Sequence, residues 1–265
     1  MTARKWLESG PGWVFVRGFG TARGCTKGLI LADDSAQEPI GYTHGMAEPI
    51  RAEIDGATIV LLGEFNPAIF QPAWFGHNGL LGEQEVEAAQ INVIHPEVAD
   101  FKLDWLQLQV TQNRFLASAA DAGHSLPLKD LVMGTFSLLS HTPATQIGCN
   151  RHMHFKAESE EESHLFGDML APKDLWRTVM AGRPGLRSLT IEAQRPGSSA
   201  KYVRVTVQPS NKLVGFYIST NEHYEVTAGE GIAGLLSLLE RDWVQAWEYG
   251  LEVATHLIAR VRRTS

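Results

Sequence analysis

The chain is 265 residues long, 44% hydrophobic and 20% charged, which suits a folded domain with its own core and argues against a disordered or fibrous protein. Thirty acidic against 23 basic residues leave a net charge of -7, so nothing draws the chain over long range to a phosphate backbone or an anionic lipid surface. Nucleic acid and membrane are therefore disfavoured as partners. Two cysteines, Cys25 and Cys149, with no CxxC pair, make no disulfide framework and fit a reducing, cytoplasmic setting.

The first 55 residues read as an irregular or disordered leader. Eight of the 25 glycines fall within the first fifty positions, and neither strand nor helix periodicity persists there. Arg4 and Lys5 are followed by no apolar h-region, so the start does not resemble a signal peptide. The change of texture just after Met46 makes that residue a candidate true start. A single α+β domain is expected over 56–265, beginning near Ala57.

Residues 57–63 (ATIVLLG) form a β-branched and leucine run, the mark of a buried strand. The loop FNPAIFQPAWF follows, with Pro67 and Pro72 forbidding regular structure in its interior. Helix-forming residues occupy 80–90. Over 105–111, Leu106, Leu108 and Val110 alternate with Gln107, Gln109 and Thr111, which predicts a half-buried strand. A helix follows with Ser125 as its cap, Pro127 in its first turn, and an apolar stripe of Leu128, Leu131, Val132, Phe136 and Leu139.

Residues 145–156 read as a strand. A capping box at Ser159 and Glu162 opens a helix that Pro172 interrupts, and a further turn or two carries Leu175, Trp176 and Val179. Three short strands over 186–226, separated by the turn residues at 197–199 and 210–212, predict an antiparallel meander. A second capping box, Thr227 with Glu230, opens a final helix over about 228–262. Its stripe of Ile232, Leu236, Leu239, Trp243, Ala246, Gly250, Val253 and Leu257 steps alternately by four and three, as in a heptad seam. Adjacent strands in runs, rather than strict alternation with helices, predict an α+β fold with a largely antiparallel sheet.

No GxxxxGK[ST], GxSxG or HExxH motif occurs, so none of these catalytic designs is signalled and no cofactor is expected. In a strand over 145–156, His152 and His154 share one face with Asn150, while Cys149 and Met153 face the other way. Two imidazoles at i and i+2 are candidate metal ligands, but a site needs three or four, so no metal is expected. The residues Asn150, Arg151, His152 and His154 are candidates for a ligand site. Phe70, Trp74 and Phe75 are candidate interface anchors on a proline-stiffened loop, or core plugs. Trp243 and Trp247 on the long helix are candidates for a seam of self-association.

The stretches LLGEFNPAIFQPAWF, LQLQVTQNRF and TPATQIGCNRHMHF, with their spacing, resemble a sporadically distributed family of uncharacterised bacterial proteins of similar size. The resemblance covers roughly residues 57–226. It implies a strand running into the Gln109 to Phe115 pattern, a helix, and a strand from Thr145 to Arg151. It implies a place in an accessory, defence-related system, and it brings no catalytic residues. The expectation is a non-catalytic protein-binding or assembly component, associating with a partner or with itself through the C-terminal helix. The alternative is a metal-dependent enzyme or a small-ligand-binding protein using the strand around Asn150 to His154.

Overall fold

Strand β1, Ile54–Gly63, sits at the centre of a sheet that organises everything around it. A computed structural model of the chain describes residues 50–262, all within one compact unit. The expected leader with its start at Met46 falls on residues outside the described ones, except for its last few positions. Within those, Ile50 and Ala52 already pack against core residues, and β1 begins three residues before Ala57.

The sheet has nine strands: β1, β2 (Gln90–His95), β3 (Val98–Lys102), β4 (Leu106–Thr111), β5 (Arg114–Ala119), β6 (Ala144–Lys156), β7 (Leu189–Ala193), β8 (Tyr202–Pro209) and β9 (Gly215–Glu225). Their spatial order is β2-β3-β4-β5-β1-β6-β9-β8-β7, and every neighbouring pair is antiparallel. Helix α3 (Ser125–Leu138) packs on β1 and β5, and α6 (Gly231–Arg262) on β6 and β9. Helix α4 (Glu160–Leu170) lies against β9 and α6. The short helices α1 (Pro72–His77), α2 (Glu83–Glu87) and α5 (Asp174–Arg177) complete the set. The fold is α+β, with the larger helices on one face of the sheet. No described helix is long and apolar enough to cross a membrane.

One-sided coverage explains the alternation. In β4, Leu106, Leu108 and Val110 are buried beneath the helices while Gln107, Gln109 and Thr111 face away. In β1, Ala57, Ile59 and Leu61 are fully buried on the same covered face.

Several expectations are corrected. The helix over 80–90 shrinks to α2, because Gln90 opens a hairpin of β2 and β3 that sequence periodicity does not reveal. Strand β2 is an edge strand with five of its six residues exposed, so it carries no alternation. Strand β5 is joined to β4 by a two-residue turn, Gln112 and Asn113, lacking the usual glycine signal. Ser125 is not a cap: it is already helical, and the cap position belongs to His124, which makes no side-chain capping bond. Glu230 does accept from Thr227 N and Oγ1, but as a separate turn ahead of α6.

The stripe on α6 is corrected in its second half. The centre of the buried stripe runs Ile232, Leu236, Leu239, Trp243, Ala246, Gly250, Ala254, Ile258 and Val261, with Leu235 and Asp242 buried beside it and Val253 and Leu257 only half-buried. Their mean step is close to 3.6 residues, the pitch of a straight helix on a sheet rather than of a supercoiled seam.

Candidate binding face

Alternation along β6 divides the candidate residues between the two faces. Arg151 points to the covered face with Cys149 and Met153; Asn150, His152 and His154 point to the open one. Arg151 is 6% exposed and forms a bidentate pair with Asp55, Nε to Oδ1 at 2.9 Å and Nη2 to Oδ2 at 2.5 Å. Its Nη1 donates to the Trp247 carbonyl at 2.6 Å, and its guanidinium lies 4.1 Å from the Trp247 ring centroid. A side chain at Gly250 would meet Thr220 Oγ1 at 2.7 Å, so glycine there lets α6 approach the sheet. Arg151 thus pins β1 and β6 to α6, and the sheet separates it from the histidines.

The other candidates also lie under the helices. Phe70 and Phe75 are buried and join Phe65, Phe101, Phe115 and Phe136 in a ring cluster; Trp74 is half-buried at its margin. The prolines of that loop serve local turns: Pro67 begins a 3-10 turn capped by Asn66, and Pro72 begins α1. Trp243 is 2% exposed, with Trp247 half-buried beside it, ring centroids 6.2 Å apart. Cys149 is enclosed, and burial pushes its thiol well above its ordinary range.

On the open face the polar groups satisfy one another across strands. His152 Nδ1 is 2.7 Å from the Tyr217 hydroxyl and its Nε2 is 3.1 Å from Thr58 Oγ1. His154 Nδ1 is 2.8 Å from Ser210 Oγ. Asn150 donates to the Thr58 carbonyl at 3.1 Å and accepts from Asn221 at 2.6 Å. Tyr202 stacks on His223, with centroids 4.7 Å apart and planes within 10°.

Burial sets the charge of this face. It lowers His152 to about 4, with a smaller contribution from the neighbouring His154. His154 is lowered too, by burial and then by the charge of Lys212. His223 is lowered by burial in spite of Glu225, 3.2 Å away. Tyr217 is raised by burial, so its hydroxyl keeps its proton. The three imidazoles are neutral at pH 7.

Both candidate histidines line a cavity of about 340 Å³, with Thr58, Lys102, Asp104 and Trp105 among its walls. Trp105 donates to Glu85 Oε1 at 2.7 Å, which fixes its indole, and also lines a second cavity of about 530 Å³ beside His124 and Asp130. Sequence reasoning missed Thr58, Trp105 and Tyr217. Only strand register brings Thr58 opposite Asn150 and Tyr217 opposite His154.

Chemically the face offers hydrogen bonds and flat rings. Among the described residues no carboxylate hydrogen-bonds to the ring of His152 or His154, so none orients them or makes them more basic in the way a proton-transferring histidine is helped. Among the described residues no group of three or more His, Cys, Asp and Glu is placed to hold a metal ion. No protein-family model matches the chain, and no curated protein matches it.

Proposed function

We propose that this chain is a non-catalytic binding protein, a component of a bacterial accessory assembly, whose recognition surface is the open face of its sheet. The observation that carries this reading is the state of His152 and His154. Both line a cavity, both are held neutral by burial, and both are hydrogen-bonded to hydroxyls. Such groups recognise; a proton carrier working at pH 7 would titrate nearer to it.

The test is affinity purification of the native protein with mass spectrometry for co-purifying partners and small molecules. It is repeated with the triple variant Gln107→Ala, Ser118→Ala, His154→Ala. Loss of a specific companion in the variant supports the open face. An unchanged set of companions contradicts it.

A specific observation favours association with a second protein as well. Leu175, Trp176, Val179 and Met180, in and just after α5, are 83%, 53%, 76% and 55% exposed. Clustered exposed apolar side chains mark protein contacts. Association through α6 would have to use its outer side, where Val244 is 52% exposed, since its inner stripe lies on the sheet. Light scattering of the wild type against Trp176→Glu and Val244→Glu separates the two surfaces, and a strict monomer at all micromolar concentrations speaks against self-association through either.

A further inference from the structure

The hairpin of β3 and β4 places two opposite charges on the wall of the 340 Å³ cavity. Lys102 ends β3, and Asp104 lies in the tight link to β4, closed by the Leu103 N–H donating to the Leu106 carbonyl at 2.8 Å. These are the one basic and the one acidic side chain of the wall, and both are exposed. Two residues earlier on the same strand, Asp100 is held by Asn92 at 2.7 Å and Gln109 at 2.9 Å. Lys102 and Asp104 make no ion pair or side-chain hydrogen bond with any described residue.

That arrangement discriminates by charge. A ligand with a carboxylate alone would be attracted by Lys102 and repelled by Asp104; a ligand with an amine alone would meet the reverse. A molecule carrying both pairs both. Trp105, next in the chain after Asp104, adds an aromatic side chain to the same wall. Among its ring nitrogens, His154 uses Nδ1 on Ser210, which leaves Nε2 for a further hydrogen bond. The cavity lies near the lower end of the roughly 300–1,000 Å³ range of ligand pockets, which suits a small metabolite.

Resting on the reading of the open face as the recognition surface, we propose that this cavity binds a free α-amino acid as its zwitterion. Its carboxylate sits on Lys102, its ammonium on Asp104, and its side chain lies against Trp105.

The experiment is isothermal titration of the full chain at pH 7.5 with each of the common L-amino acids. The best binder is then compared with its decarboxylated amine and its deaminated acid. The zwitterion is expected to bind at least about tenfold more tightly than either analogue. Lys102→Met abolishes its preference over the amine, and Asp104→Asn its preference over the acid; both side chains are exposed, so neither change threatens folding. Absence of binding by every amino acid overturns the proposal, as does equal binding of a singly charged analogue. If such an analogue binds and His154→Ala abolishes it, the open face stands as a recognition surface while the zwitterion is refuted. Amino-acid binding that ignores Lys102→Met, Asp104→Asn and the triple open-face variant refutes both.

Discussion

The two faces of the sheet handle polar groups in opposite ways. Beneath the helices, charge is buried in locked pairs: Arg151 with Asp55, and Glu222 with Arg195 at 2.6 and 3.1 Å and with the Tyr224 hydroxyl at 2.6 Å. Asp242 on α6 adds a link, accepting from Ser199 at 2.9 Å and from Arg241. On the open face the buried imidazoles are neutral: His152 and His154 are answered by hydroxyls, and His223 lies 3.2 Å from Glu225. A locked ion pair fixes architecture because removing either partner strands a buried charge. A neutral polar face can exchange its partners for a ligand's groups at small cost. Hence the covered face is the scaffold, and the open face is the one we propose for recognition.

The largest expected effect breaks the scaffold. Arg151→Met leaves Asp55 without its partner and destabilises by about 3–5 kcal/mol in urea unfolding. Adding Asp55→Leu restores much of the loss, because two apolar side chains strand no charge. If the single variant is neutral, the pair is not an anchor.

Next comes pH. The folded-state value of His152, about 4, lies below its ordinary 6.5, so the unfolded chain takes up a proton first as pH falls. The associated stability is complete above pH 6.5, is lost as pH falls towards 4, and amounts to at most about 3 kcal/mol. Denaturation at several pH values should show a shallower slope for His152→Asn than for the wild type. Identical slopes would mean that this face is not kept neutral by burial.

Gly250→Ala sharpens the comparison from the helix side. Its methyl would press on Thr220 Oγ1 and, at 3.2 Å, on Arg151 Cδ, with an expected loss of about 1–3 kcal/mol. Smallest of all, Gln107→Ala on the open face should change stability by less than about 0.5 kcal/mol while weakening ligand capture.

The fold class was legible because alternation survives wherever one face is buried: Leu106, Leu108 and Val110 announce β4, and the same rule sorts His152 and His154 from Cys149. It fails at β2, exposed along most of its length; β5 does alternate, with Phe115, Ala117 and Ala119 buried, but its turn lacks a glycine marker. Aromatic residues left two readings open. Phe70, Phe75 and Trp243 are as suitable for a core as for an interface, and only the three-dimensional neighbours decide. The anchor of Arg151 on Asp55 spans 96 residues, and the cavity is assembled from five strands and the link between β3 and β4, so neither leaves a local signature. Arg151 and His152 are adjacent in sequence yet belong to opposite faces, so grouping them as one candidate site joined a buried structural residue to a residue of the open face.

The separation of faces is tested most directly by an NMR titration of the His152 ring in the full chain. Neutrality that persists down to about pH 4 is the predicted result, with the imidazole still bonded to Tyr217 and Thr58. Protonation near 6.5 or above would contradict it: the ring would then be available for proton transfer at physiological pH, and the non-catalytic assignment of the open face would lose its support.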